Sequence, residues 1–137
     1  PLRMREHCRN ALAVANFLGS HAAVARVIHP AHHTGAAAAR SAKYMPNGMG
    51  GLCGFELKGG LDAGQKFIDS LKMIYHVANI GDARSLAIHP ASTTHSQLTA
   101  AEQAATGVTP GYVRLSIGIE HIDDILADLA QALDAAG

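Results

Sequence analysis

Two periods of apolar residues alternate along this chain, and the alternation lays out its elements. From Met4 to about Ser20, Met4, Cys8, Ala11, Leu12, Ala15 and Leu18 return every three or four positions, forming one face of an amphipathic helix, with Arg5, Arg9, Asn10 and Asn16 mostly on the other side. Gly19 stops that helix, and Val24 to Ile28 reads as a short strand ended by His29-Pro30. Gly35 opens an Ala-rich helix to Tyr44, after which the breakers from Pro46 to Gly51 form a loop. The period then falls to two. Cys53, Phe55 and Leu57 share one face of a strand from Leu52 to Lys58, Glu56 and Lys58 take the other, and Gly59-Gly60 ends it.

The second half repeats the alternation. A helix from about Leu61 to Ser70 precedes Met73 to Ala78, a segment apolar almost throughout, which predicts a strand inside a sheet closed by a turn at Asn79 to Asp82. Ser85 to Ile88 is another short strand, ended by His89-Pro90 much as the first is by His29-Pro30. Thr99 and Glu102 have the spacing of a capping box, in which each side chain satisfies a free backbone N–H, and so start a short helix to about Ala105. Thr109-Pro110-Gly111 breaks it. Val113 to Gly118 alternates again, with Val113, Leu115 and Ile117 inward and Arg114 and Ser116 on the opposite face. The last helix carries Ile122, Ile125, Leu126, Leu129 and Leu133 on one stripe, with Asp123 and Asp124 in its first turn, where the helix dipole favours anions. The sum predicts an α+β fold: a small, mainly antiparallel sheet with helices packed on one face. The other face, which displays Arg114, meets either water or a partner.

Length and composition narrow the reading. The 137 residues make room for one domain, and 48% hydrophobic against 16% charged residues suits a folded chain with a core of its own. Eleven Lys+Arg balance eleven Asp+Glu, and no basic run interleaves with aromatics, so neither nucleic acid nor an anionic membrane is an expected partner. No apolar run reaches the roughly 18 residues of a transmembrane helix, and no apolar core follows the charges of Pro1 to Arg5 as a signal peptide requires; a cytoplasmic protein is expected. Cys8 and Cys53 are too few for a disulfide framework or a four-thiolate zinc site, and both read as small core residues. The chain starts at Pro1, without an initiator Met and almost inside a helix, which points to a piece of something longer.

Candidate chemistry is sparse. Among nine histidines the densest cluster is His29-Pro30-Ala31-His32-His33, but the proline forbids helical metal-ligand spacing, no H-E-x-x-H is present, and no Cys or carboxylate lies close in sequence. These read as turn or surface histidines, and no metal site is expected. His89 and His95 bracket Pro90 to Thr94, which is either a binding loop of hydroxyls or a loop whose hydroxyls bond its own backbone. No G-x-S-x-G elbow or Walker loop occurs, and Lys43, Lys58, Lys66 and Lys72 lie in no sequence that marks a Schiff-base site. The suggestive group is Arg114. A planar guanidinium on a rigid strand can grip a carboxylate with two parallel hydrogen bonds, as an amino-acid or keto-acid substrate needs. The alternative is an arginine that is merely solvated or salt-bridged.

Four stretches carry more than periodicity: Phe67-Ile68-Asp69-Ser70-Leu71-Lys72, Ala78-Asn79-Ile80-Gly81-Asp82-Ala83-Arg84-Ser85-Leu86, His89-Pro90-Ala91-Ser92-Thr93-Thr94-His95 and Val113-Arg114-Leu115-Ser116-Ile117-Gly118-Ile119-Glu120. In order and spacing they resemble the C-terminal part of the cysteine/methionine-metabolism family of pyridoxal-phosphate (PLP) enzymes, of fold type I. The likeness extends upstream through Arg9 to Ala15 and Lys58-Gly59-Gly60, over nearly the whole chain. Within the family it is most similar to the branch that makes homocysteine from O-acetylhomoserine and sulfide. The resemblance implies that Arg114 binds the substrate α-carboxylate, that Asn79 assists it, where many relatives carry Ser, and that Thr94 lines the same mouth. It implies that residues 1–137 are the C-terminal substrate domain and that the PLP-binding domain, with the lysine that carries the cofactor, lies N-terminal to them and outside this chain. No catalytic residue and no bound PLP are then expected in this chain by itself, and it is expected to be inactive alone. The intact enzyme is expected to be a homotetramer. Two further readings stand beside this one. The same family offers cystathionine γ-synthase, γ-lyase or O-succinylhomoserine sulfhydrylase chemistry, and a different class offers a catalytically silent domain that binds an amino acid or a PLP subunit.

Overall fold

The two periods become two layers in the structure, a computed structural model that describes residues 1–137. Strands β1 (Val24–Ile28), β2 (Leu52–Leu57), β3 (Tyr75–His76), β4 (Leu86–Ile88) and β5 (Tyr112–Ser116) form one sheet in the order β1-β2-β5-β4-β3. Every pairing is antiparallel except β3 with β4. Helices α1 (Leu2–Ser20), α3 (Gly60–Ser70) and α5 (Ile122–Ala136) cover one face, while α2 (Gly35–Tyr44) and α4 (Ala100–Ala105) lie outside the core. This is the expected α+β architecture, with a mixed sheet.

Register explains why the helices settle on that face. Cys53 pairs with Leu115 and Leu115 with Ala87, while Phe55 pairs with Val113, so the inward sets of three strands coincide. Phe55 meets Phe67 of α3 edge-to-face with ring centroids 5.3 Å apart, and Leu18, Leu129 and Leu133 close around them. Each such side chain contributes about 1.5–3 kcal/mol by leaving water. At the start of α4 the capping box forms as its spacing predicts: Thr99 N–H donates to Glu102 Oε2 (2.8 Å), and Glu102 N–H donates to Thr99 Oγ1.

Three readings are corrected. Asn10, expected on the solvent side of α1, is fully buried; the inward face is His7, Asn10, Ala11, Val14, Ala15 and Leu18, and Met4 and Leu12 are exposed. Asn10 Nδ2 donates to the carbonyls of Gly118 (3.2 Å) and Glu120 (2.9 Å), and His7 Nδ1 donates to the Ile117 carbonyl (2.6 Å). Beyond the end of β5 these carbonyls lack ladder partners, and buried polar groups must be paired, so polar side chains are drawn inward there. Second, Met73 to Ala78 is no interior strand. Only Tyr75–His76 pairs, at the sheet's edge, and both residues are exposed. The preceding turn hangs from Asp128 of α5, whose carboxylate accepts the N–H groups of Lys72, Met73 and Ile74, each at 2.9 Å. Burial works to raise that carboxyl, but the backbone donors together with Gln131 outweigh it and hold Asp128 below the ordinary value. Third, Cys8 lies half-buried against Gly48 at the margin of α1 rather than in the core, whereas Cys53 is buried and its thiol is pushed up to about 12 by burial.

Candidate functional site: an arginine on the open sheet face

β5 is the middle strand, and Arg114 sits at its centre, opposite Gly54 of β2 and Ile88 of β4. These three point away from the helices. Gly54 is required by its neighbour, because the Tyr112 ring lies across it and a Cβ there would stand 2.8 Å from Tyr112 Cε2. Burial raises the Tyr112 phenol, against a smaller opposing pull from the Arg114 charge. Segment 79–85, which leads into β4, runs over the same face. Arg114 Nη2 donates to the Asn79 carbonyl (3.2 Å), the Gly81 N–H donates to Ser116 Oγ (3.1 Å), and Arg3 of α1 donates to the Gly81 carbonyl (2.9 Å). Ser116 is consequently covered, not displayed. An apolar hollow of about 450 Å³ opens one register step from Arg114, beside Leu52, Ser116 and Ile80, with Met4 and His7 of α1 also lining it.

The guanidinium is electrostatically unanswered. No carboxylate of the chain pairs with Arg114, and Glu56, the acid on the same face of β2, is taken by Arg26 at 2.9 Å. Arg114 Nε is shielded from solvent and bonded to nothing. Of the five N–H donors a guanidinium carries, the chain supplies an acceptor to one. Such a group can accept a planar carboxylate from outside.

Arg114 and Asn79 are brought together, but through the Asn79 main chain; the Asn79 side-chain oxygen accepts the Ile80 N–H (2.9 Å). Thr94 is exposed on the turn that follows β4, its hydroxyl 2.9 Å from His95 Nδ1, with no hydrogen bond to Arg114 or Asn79. The hydroxyl loop serves its own backbone: Thr93 Oγ1 donates to the His89 carbonyl and Ser96 Oγ to that of Thr93, both at 2.8 Å. The clustered histidines are likewise local. His29 Nδ1 accepts the Ala31 N–H (3.2 Å), and His33 Nδ1 lies 2.9 Å from Ser41 Oγ. Burial, and then the neighbouring His32 and His33, push the His29 pKa down. His89 lies fully buried between Ser92 Oγ and the Pro110 carbonyl, its pKa also lowered chiefly by burial. Periodicity gave no sign of Tyr112, Gly54, Ser85 or Glu120 as parts of this region. Only the register and the path of segment 79–85 show them.

The site is thus an arginine without an acid partner on the central strand of an α+β domain, two residues along β5 from the Ser116 that lines the hollow. Residues 1–134 match the Cys/Met metabolism PLP-dependent enzyme family, and the chain belongs to it. It is 55% identical over 134 residues to the O-acetyl-L-homoserine sulfhydrylase of Leptospira meyeri, covering 97% of this chain and 30% of that protein. It is 45% identical to the L-methionine gamma-lyase of Pseudomonas putida, covering 98% of this chain and 34% of that one. A Campylobacter jejuni chain described as an O-acetylhomoserine (thiol)-lyase, solved with N′-pyridoxyl-lysine-5′-monophosphate, superimposes with a TM-score of 0.88 at 42% identity, over 97% of this chain and 32% of that one. The chain thus spans about a third of the length of these relatives. No helix is long and apolar enough to cross a membrane.

Proposed function

We propose that residues 1–137 are the C-terminal substrate domain of a PLP-dependent O-acetylhomoserine sulfhydrylase and supply its α-carboxylate clamp. The observation that carries this is Arg114 itself, a charged fork on a rigid strand with Nε unpartnered and no acid of its own. The residues of this face fit a substrate carboxylate and do not fit a cofactor anchor. None of the strand residues that share the Arg114 face is a lysine, and Lys58, at the end of β2, donates to the Ala22 carbonyl. The family's cofactor, held by the N-terminal domain, supplies an electron sink. What this chain contributes is orientation. Arg114 takes the carboxylate through its open donors, the Asn79 carbonyl holds one guanidinium nitrogen, the Asn79 amide assists, and the family resemblance adds Thr94 to the pocket's lining. The substrates in this reading are O-acetylhomoserine and sulfide, the products homocysteine and acetate. The family resemblance further implies a cytoplasmic homotetramer.

The test is Arg114→Ala in the intact enzyme. The kcat/KM for O-acetylhomoserine is expected to fall by roughly 30- to 5000-fold, the equivalent of about 2–5 kcal/mol for truncating a desolvated ion pair. Arg114→Lys should recover little, because an ammonium cannot make the two-pronged contact. An unchanged kcat/KM would remove the clamp. The similarity to a methionine γ-lyase favours one second reading within the family, in which methionine and water give methanethiol, 2-oxobutanoate and ammonia. Analysing products from O-acetylhomoserine plus sulfide and from methionine separates the two.

A further inference from the structure

Segment 79–85 holds the carbonyl that orients Arg114, and its attachments are unequal. Near Arg114 it is held by single hydrogen bonds: Asn79 to the guanidinium and Gly81 to Ser116 and Arg3. At its far end it is riveted. The Glu120 carboxylate accepts the Ser85 N–H at Oε1 (2.5 Å) and the Ser85 hydroxyl at Oε2 (2.9 Å), while Ser85 Oγ accepts the Gly118 N–H (2.9 Å). The Ile119 N–H adds a bond to the Ala83 carbonyl (2.8 Å). Ser85 is fully buried, and Glu120 forms no ion pair, so its charge is spent on these donors. A Cβ at Gly118 would collide with Glu120 Oε2 and the Ala83 carbonyl, so the close seat of the carboxylate demands glycine there. The rivet is anchored in the helical layer, because Asn10 of α1 holds the Gly118 and Glu120 carbonyls.

We propose that Glu120 and Ser85 are positioning residues for the carboxylate clamp: by locking residues 83–85 to residues 118–120 they fix the Asn79 carbonyl and, through it, the orientation of Arg114. The proposal rests on the reading of Arg114 as the clamp. Arg114 approaches its substrate from β5, while the acceptor that aligns it comes from a segment that runs between the Val77 N–H bond to the Ala87 carbonyl and the start of β4, and that meets β5 through these side-chain and loop contacts. Losing the rivet leaves β5 in place and lets the aligning carbonyl drift.

The experiment measures, in the intact enzyme, the ratio of kcat/KM for O-acetylhomoserine to that for its carboxamide, which lacks the negative charge. Glu120→Gln and Ser85→Ala are each expected to lower this ratio about tenfold, the order of one lost charge-assisted hydrogen bond, mainly through KM for the acid. Adding Glu120→Gln to Arg114→Ala should change the ratio no further, since the effect travels through the arginine. Should Glu120→Gln fail to fold, Ser85→Ala carries the test alone, because it keeps the bond from the Ser85 N–H to Glu120. An equal loss for acid and amide, or a full effect of Glu120→Gln in the Arg114→Ala background, would overturn the proposal and leave a structural contact. If Arg114→Ala by itself spares the ratio, the clamp reading fails and this inference falls with it.

Discussion

Two consecutive rungs of one ladder show what each face of this sheet is for. On the first, Cys53, Leu115 and Ala87 lie under α1, α3 and α5 and are almost completely buried. On the next, Gly54, Arg114 and Ile88 face the other way, and the middle position holds a cation with an unpartnered Nε. The covered rung gains from burial and packing. The opposite rung, although Gly54 and Ile88 on it are buried too, leaves a donor unanswered, which costs free energy in the domain by itself and, in the proposed clamp, is recovered when a substrate carboxylate arrives. Under the proposed function, stability and recognition are therefore separable in this domain, although the residues responsible are adjacent in sequence.

The contrast can be broken most forcefully on the covered side. Phe67→Ala removes one ring of the edge-to-face pair and should destabilise the domain by about 3–5 kcal/mol in denaturant unfolding. A loss below about 1 kcal/mol would mean that this face is not where stability resides.

Acid should act next, and through groups at the margins of the helical layer. The folded state lowers the pKa of His29 and His89, so their contribution is present above the ordinary histidine value of about 6.5 and is lost as pH falls through it, because the unfolded chain takes up those protons first. Asp128, also lowered, adds a second step: its stabilisation persists above about pH 3.9 and is lost below it. The melting temperature should drop between pH 7.5 and 5.5 and again below pH 4. A flat profile across the upper interval would sink the histidine part.

The smallest expected stability effect sharpens the comparison most. Arg114→Leu should leave unfolding free energy unchanged within about 1 kcal/mol, or raise it, since an orphaned donor is replaced by an apolar side chain. In the proposed clamp, the same variant should lose the preference for a carboxylate substrate over its carboxamide. Strong destabilisation would make Arg114 a structural residue.

Legibility followed burial pattern. β2 and β5 were readable because one face of each packs on the helices, so that Cys53, Phe55, Leu57, Val113 and Leu115 fall at every second position, and that spacing put Arg114 on the opposite face, where Gly54 and Ser116 are buried by other means. The segment around β3 misled because an apolar run looks the same at an edge as in the middle; its place was decided by Asp128, more than fifty positions away. Asn10 misled because a polar residue on a helix is read as outward unless something remote needs its hydrogen bonds. Ser85 and Glu120 carry no periodic signal at all, since their contact joins positions 35 apart.

By itself, then, the order of apolar and polar residues determined the α+β layering, the elements that build it and the side of the sheet on which an arginine would stand, because those follow from local geometry and from what water excludes. The family likeness was also written in the chain. Tertiary structure alone decided which carbonyl faces Arg114, that its Nε has no partner, and that Glu120 bonds Ser85 at the far end of the segment carrying that carbonyl. Hydrogen bonds between distant residues depend on where backbones meet, and no pattern along a single strand or helix records that.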